Sequence, residues 1–347
     1  MKGSRKLLII RLLLFVGTAI SLFYVPWPII KTWIKPLPKT VEEQVKVAAE
    51  ENFDGIIVYV DQEGVSPEFY AAGWHNRAAK IPANPQALFK IASIGKLYHA
   101  VAITKLVDKG VLSIDATLSE YFPELVGKIE YADEITLRML VQHRSGLPNF
   151  TDMADFWNNP PEDSKAALKL IENVPAEFEP NKRYQYSNTN YLLLSELIKK
   201  VTEYDSEFQY FKEAILMPLG LENTYGSINE IDMNRLMSGY YVGVEEDIKT
   251  TNYGSMIATA EDVGIFLRAL NDGSIFNESE KGLYASLYTY NHTGLIPGYQ
   301  SIAKYHSDID AVVIQFVNTT NFDGYTWSEM EVIYNRIVKI WKREHQL

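Results

Sequence analysis

Apolar positions along the chain change their spacing repeatedly, and each change predicts a new element. From Leu7 to Val25 they run almost unbroken, interrupted only by Arg11, Thr18 and Ser21, and Pro26-Trp27-Pro28 closes the run. Its length is close to the roughly 20 residues that a membrane-spanning helix needs. Lys31–Lys39 (KTWIKPLPK) reads as a proline-containing spacer. Thr40–Glu51 then sets Val41, Val45, Val47 and Ala48 among Glu and Lys, a capped amphipathic helix. Gly55–Val60 (GIIVYV) and Glu68–Trp74 are short β-rich runs separated by the turn-like Gly64–Pro67. From Ser93 the period becomes helical: Leu97, Val101, Ala102, Leu106 and Val107 recur up to Gly110. Residues 113–254 lack clear strand pairs and hold helical segments at Leu137–His143, Ala166–Ile171, Tyr191–Val201 and Asp205–Leu216. A helix over Ala260–Leu270, β-rich runs at Gly298–Tyr305 and Ile309–Val317, and an amphipathic helix over Ser328–Lys342 follow.

Strands at both ends of the body and helices between them predict an α/β (α+β) fold. One antiparallel sheet flanked by helices is built from 40–112 and 255–347, with 113–254 as an inserted helical region. The composition, 47% apolar and 12% aromatic over 347 residues, supplies enough bulk for a sizeable core and excludes low-complexity and disordered classes. Charge is unevenly placed. The first 39 residues carry seven basic and no acidic side chains, leaving 26 basic against 44 acidic in the remainder. A body that acidic repels phosphate backbones, so nucleic acid is not an expected partner. With no cysteine there is neither a disulfide framework nor a Cys nucleophile.

The basic flank Lys2, Arg5 and Lys6 ahead of the apolar run predicts a cytoplasmic N-terminus and an exported body. The small-residue pairs that a signal peptidase would cut after, Gly17-x-Ala19 and Ala19-x-Ser21, lie inside the run rather than behind it. Residues 1–39 are therefore expected to stay attached as a membrane anchor and spacer. Secretion is the alternative if the first 20 or so are removed.

Three short motifs carry candidate chemistry. Ser93-Ile94-Gly95-Lys96 opens the long helix, where a serine lies in the positive field of the helix N-terminus. Lys96, three residues on, shares its face and leans back toward it, which places an amine beside a weak nucleophile. Tyr186-Ser187-Asn188 sets a phenol, a hydroxyl and an amide just before the helix Tyr191–Val201. Such a set relays protons and holds a carbonyl, or merely caps a helix. His292-Thr293-Gly294 opens the penultimate strand run, with a glycine where another backbone or a substrate must come close. A substrate there pairs with the strand edge.

In this order the three motifs resemble those of the serine β-lactamase and penicillin-binding superfamily, above all class C β-lactamases and related D-Ala-D-Ala carboxypeptidases. Neighbouring stretches agree: Phe89-Lys90-Ile91-Ala92 before the serine, Leu106–Gly110 with Leu112–Asp115, Leu137–Pro148 (LRMLVQHRSGLP), and Pro218–Leu221. The resemblance covers about residue 50 to about 345. It implies that Ser93 is the acylated nucleophile, Lys96 its proton partner, and Tyr186 a second acid/base. Asn188 would bind a substrate amide, and His292, Thr293 and Gly294 would face the substrate. The backbone N–H groups of Ser93 and Leu295 would form the oxyanion hole. Whether Lys96 or Tyr186 takes the serine proton stays open. The implied activity is that of a serine hydrolase acting through an acyl-enzyme on a small amide or ester, including peptides ending in D-amino acids. An esterase, a weak β-lactamase and a non-catalytic sensor are the alternatives.

Two departures bear on substrate. His292 replaces the lysine that most β-lactamases carry, which argues against efficient antibiotic hydrolysis. With an ordinary pKa near 6.5, His292 is expected to gain charge as pH falls from 8 to 6 and then to hold a substrate carboxylate more tightly. The stretch from Leu270 to His292 is also short, and the family's strand before the third motif is reduced to Tyr284–Asn291. Tyr284, Tyr288 and Tyr290 are expected to serve strand and core packing. His143 reads as a structural loop residue, and His99, roughly 240° around the helix from Ser93, is expected to face elsewhere. His75, His306 and His345 have no metal-ligand spacing, so neither a metal nor another cofactor is expected.

Overall fold

The computed structural model describes residues 2–345. At the N-terminus, helix α1 (Lys2–Ser21) gives way to a 3-10 turn at Leu22–Tyr24, and helix α2 (Trp27–Ile34) follows. The single span expected over Leu7–Val25 is not formed. Among the described residues no one helix is long and apolar enough to cross a membrane. Only the pair Ile9–Tyr24 and Trp27–Ile34, bent by 82°, passes by length and composition together. The cause is local: Val25 is extended ahead of Pro26, and a residue before proline is pushed out of the α region. Leu13, Leu14 and Phe15 on α1 are 65%, 66% and 73% exposed.

The body begins with helix α3 (Val41–Glu51), whose N-cap Thr40 accepts from the Glu43 N–H at 3.1 Å. Its strands are β1 (Gly55–Gln62), β2 (Glu68–Asn76), β3 (Ile81–Pro82), β4 (Phe89–Lys90), β5 (Thr224–Tyr225), β6 (Tyr240–Tyr241), β7 (Ile257–Ala258), β8 (His292–Ile296), β9 (Tyr299–His306), β10 (Ala311–Val317) and β11 (Thr319–Thr320). Six of them form the main sheet in the order β3-β2-β1-β10-β9-β8 with antiparallel pairs throughout. The two ends of the body do meet in one sheet, Ile56 opposite Val317 and Gln62 opposite Ala311.

Strand alternation sorts the buried side chains into two cores. Ile57, Tyr59, Val312, Ile314 and Phe316 face helix α4 (Gly95–Asp108) and the helix Ala260–Asn271. Ile56, Val58, Val60, Val313 and Val317 face α3 and the C-terminal helix Thr326–Glu344, through Ile333, Ile337 and Trp341. Residues 113–254 carry helices separated by long irregular stretches, and they also send β5 into a three-stranded sheet with β4 and β7. The helix Asn188–Thr202 of this insert packs on α4 and carries its N-terminus to the start of that helix.

Two expectations need correction here. His292 does not open the penultimate run: β8 is a separate edge strand, joined to β9 by the two-residue turn Pro297-Gly298, with Gly298 at φ +80°. Upstream of it, Glu278–Leu287 is a helix rather than strand, begun by a reciprocal cap between Asn277 and Glu280. Tyr284 is fully buried inside that helix, and Tyr288 is its C-cap.

Candidate active site

The segment carrying Ser93 leaves β4 through a strained turn. Ala92 has φ +49°, a left-handed conformation that costs a residue with a Cβ energy, and its surroundings hold it there. Its N–H donates to Ser255 Oγ at 2.8 Å, Ile91 N donates to the Met256 carbonyl at 3.0 Å, and Ser301 Oγ donates to the Ile91 carbonyl at 3.2 Å. A 3-10 turn over Ala92–Ile94 then leads into α4, so Ser93 stands just ahead of the helix that the spacing predicted. Lys90, three residues before Ser93, is buried and donates to the Thr251 carbonyl at 2.6 Å, which ties down the loop leading to Ser255. Burial lowers its amine to about 8.

The first two motifs converge at Ser93. Tyr186 Oη lies 2.6 Å from Ser93 Oγ, and Lys96 Nζ donates to the same oxygen at 3.0 Å. Lys96 also donates to Asn188 Oδ1 at 2.8 Å. It is buried, its ammonium 4.9 Å from the Tyr186 ring centre and 5.5 Å from that of Tyr191. No carboxylate among the described residues pairs with it. Asn188 is in turn fixed by Asn149 Oδ1, which accepts its N–H at 2.9 Å, and by Thr151 Oγ1, which accepts from Nδ2 at 3.0 Å. Ser187, not Asn188, is the N-cap residue of the following helix, so the amide side chain is free to face Lys96.

His143 is structural, as expected. Its Nδ1 accepts from Ser187 N and Asn190 Nδ2, both at 3.2 Å, and its ring stacks on Tyr186 at 4.5 Å between centroids. Burial and the nearby Lys96 charge lower its pKa to about 3, so a neutral ring backs the phenol.

The third motif comes in on the sheet edge. The Ile296–Tyr299 pair closes the Pro297-Gly298 turn, and antiparallel pairing then alternates along β8. The peptide groups of His292, Gly294 and Ile296 meet β9, while those of Thr293 and Leu295 face the free edge. The Leu295 N–H is thus available on the strand that borders Ser93. Gly294 faces the nucleophile's turn, where a Cβ would run into the Ile91 carbonyl and lie 3.0 Å from the Ala92 Cβ.

His292 departs from expectation. Its Nδ1 lies 2.6 Å from the Thr293 carbonyl oxygen and 3.0 Å from the Thr293 N, and its Nε2 lies 2.9 Å from Tyr288 Oη. Burial, reinforced by the Lys96 charge, lowers its pKa to about 4. A pKa that low would keep the ring neutral between pH 8 and 6, against the gain of charge expected over that range.

Ser93, Lys96, Tyr186, Asn188, His292, Thr293 and Leu295 line one cleft of about 580 Å³. His99 lines it too, contrary to the expectation from its angle on the helix, because the cleft continues down α4. One wall is aromatic, with Trp157 packed against Phe156, Tyr253 and Phe322 at centroid separations of 4.9, 5.6 and 5.4 Å. Sequence reasoning missed Asn149, Thr151 and Ser255, which act through contacts distant in the chain, and it gave Tyr288, four residues before His292, a packing role only. Asn149 alone had a neighbouring signal, the LRMLVQHRSGLP stretch that it directly follows. Among the described residues no group of three or more His, Asp or Glu side chains is arranged to hold a metal ion.

A mixed α+β body that sets Ser-x-x-Lys at a helix start against the edge of an antiparallel sheet is the β-lactamase/transpeptidase-like architecture. The chain belongs to the Beta-lactamase family, whose model matches residues 37–294. It is 27% identical over 190 residues to a penicillin-binding protein of Bacillus subtilis, covering 53% of this chain and 40% of that one. With a beta-lactamase of Yersinia enterocolitica the identity is 24% over 232 residues, 64% of this chain and 56% of the relative. The chain thus spans about half or less of the length of these relatives. Among solved structures, the D-amino acid amidase of Ochrobactrum anthropi SV3 aligns with a TM-score of 0.75 at 20% identity, covering 88% of this chain and 98% of that one. A penicillin binding protein from Bacillus halodurans aligns at 0.67 and 23% identity, with 80% and 94% covered. At these identities the structural likeness speaks for the fold.

Proposed function

We propose that the protein is a serine hydrolase that works by acyl transfer. The observation that carries this is the double contact of Ser93 Oγ, with Tyr186 Oη at 2.6 Å and Lys96 Nζ at 3.0 Å. One of these groups takes the serine proton as Oγ attacks a carbonyl carbon. The oxyanion that forms is held by the N–H groups of Ser93 and Leu295. The proton then passes to the leaving nitrogen or oxygen, and water attacks the acyl-enzyme by the same path in reverse. Asn188, held by Asn149 and Thr151, orients Lys96 and offers its amide to the substrate.

The substrate is a small amide or ester, including peptides built on D-amino acids. The neutral state of His292 favours amides and esters without a carboxylate next to the scissile bond, because no cation stands at that position to hold one. The test is KM against pH for a nitrophenyl ester and for a carboxylate-bearing analogue of the same shape. With the His292 pKa at about 4, the two profiles run parallel from pH 8 to 6. A KM that falls for the acid alone over that range would restore the carboxylate reading. Alongside this we propose export of the body, with the exposed apolar residues of α1 seated in a membrane. Full-length protein is expected to fractionate with membranes and retain residues 1–39, and recovery in the soluble fraction would contradict this.

A further inference from the structure

The Ser93 cleft does not end at the nucleophile. It continues along α4 to His99, Ser195, Ser206 and Glu207. Six residues of helix place His99 roughly 9 Å beyond Ser93 along the axis. Apolar side chains share the lining, among them Phe150, Phe156, Leu192, Phe208 and Phe211.

The far end is polar and one-sided in charge. Glu207, half-buried at the start of the helix Glu207–Phe211, is the sole carboxylate among the lining residues, and no described residue hydrogen-bonds or ion-pairs with it. The neighbouring His99 gives its Nδ1–H to the Gly95 carbonyl at 2.9 Å, its Nε2 lies 2.8 Å from Ser195 Oγ, and burial lowers its pKa against the pull of the Glu207 charge. The one lysine of the lining, Lys96, is engaged by Ser93 and Asn188 at the other end.

A cleft lined by apolar side chains that also holds an unpaired carboxylate flanked by hydroxyls has the chemistry of a receptor for a long aliphatic amine. Methylenes lie against aromatic rings, and the ammonium reaches an anion beyond them. We propose that this end of the cleft is a side-chain subsite for a primary ammonium on a chain of about four carbons, as in lysine, with Glu207 as its specificity-determining residue. This rests on the reading of the Ser93 cleft as the substrate site. The acidic body favours the approach of a cationic substrate in the same sense.

Calorimetric titration of the full chain carrying Ser93→Ala, with lysine amide and with norleucine amide in both enantiomers, tests the proposal. The two amides share the α-ammonium and the four-carbon chain, so their difference reads the distal ammonium alone. In the better-bound enantiomer, lysine amide is expected to bind about tenfold more tightly than norleucine amide. In Ser93→Ala/Glu207→Gln that advantage is expected to collapse to near unity. Equal binding of the two amides, no detectable binding of lysine amide, or an advantage that survives Glu207→Gln overturns the proposal. Because Ser93→Ala performs no acyl chemistry, this result stands apart from the acyl-enzyme reading, which labelling of Ser93 decides.

Discussion

Lys96→Met is expected to lower kcat for a short nitrophenyl ester by about 10³-fold, within the 10²–10⁴ range that a positioned proton-transfer group supplies. The substitution keeps length and apolar bulk but removes the donor that reaches both Ser93 Oγ and Asn188 Oδ1. Ser93 then keeps one partner, Tyr186, whose own position is fixed by the stacked His143 ring. Tyr186→Phe is expected to fall into the same range. Since both groups serve one oxygen, the double variant should lose little more than the worse single one. Circular dichroism and thermal unfolding show whether each variant is folded. A loss under tenfold in Lys96→Met would remove the lysine from the proton path.

Gly294→Ala should reduce kcat/KM by about 10²-fold, the usual consequence of displacing a reacting group by an ångström. The added Cβ meets the backbone carbonyl of Ile91, the Ser301 hydroxyl and the Ala92 Cβ. Ile91 and Ala92 are already held by Met256 and Ser255, so no side-chain rotation relieves the contact. β8 must therefore move away from the turn that bears Ser93, and the Leu295 N–H moves with it. A stability loss of roughly 1–3 kcal/mol should accompany the change, as for other overpacked sites. Wild-type kinetics from Gly294→Ala would mean that β8 does not border the reacting carbonyl.

The parts that can be read from sequence are those whose geometry is set by chain period. Lys96 follows Ser93 by three residues on helical backbone, so their contact follows from spacing alone. The strands of both termini could be assigned to one sheet because Gly55–Val60 and Ile309–Val317 are short, β-branched runs. The order of the three motifs marked the family, and their meeting at one oxygen is tertiary. The N-terminal break had a local signal in Val25-Pro26, outweighed by the length of the apolar run. The helix Glu278–Leu287 was hidden because its few apolar positions include Tyr284, which suits a strand equally well. The charge state of His292 is the clearest case beyond sequence. It depends on burial, on Tyr288 at a helix C-cap, and on Lys96, which lies 196 positions away in the chain.

The low pKa values of two histidines also set an acid limit on stability. His143 and His292 bind a proton near 3 and 4 in the folded chain, against about 6.5 when unfolded. Between about pH 6.5 and 4 the unfolded state therefore holds more protons, and stability falls as pH falls through that window.

The account turns on one covalent bond. The most direct measurement is intact-mass and peptide mapping after treatment with a fluorophosphonate. The expected result is a single adduct on Ser93, since among the described residues Ser93 alone combines a helix N-terminus with a lysine and a tyrosine at hydrogen-bond distance from its hydroxyl. Ser93→Ala should carry no adduct. Label that maps elsewhere, or that persists in Ser93→Ala, would contradict the assignment of the nucleophile.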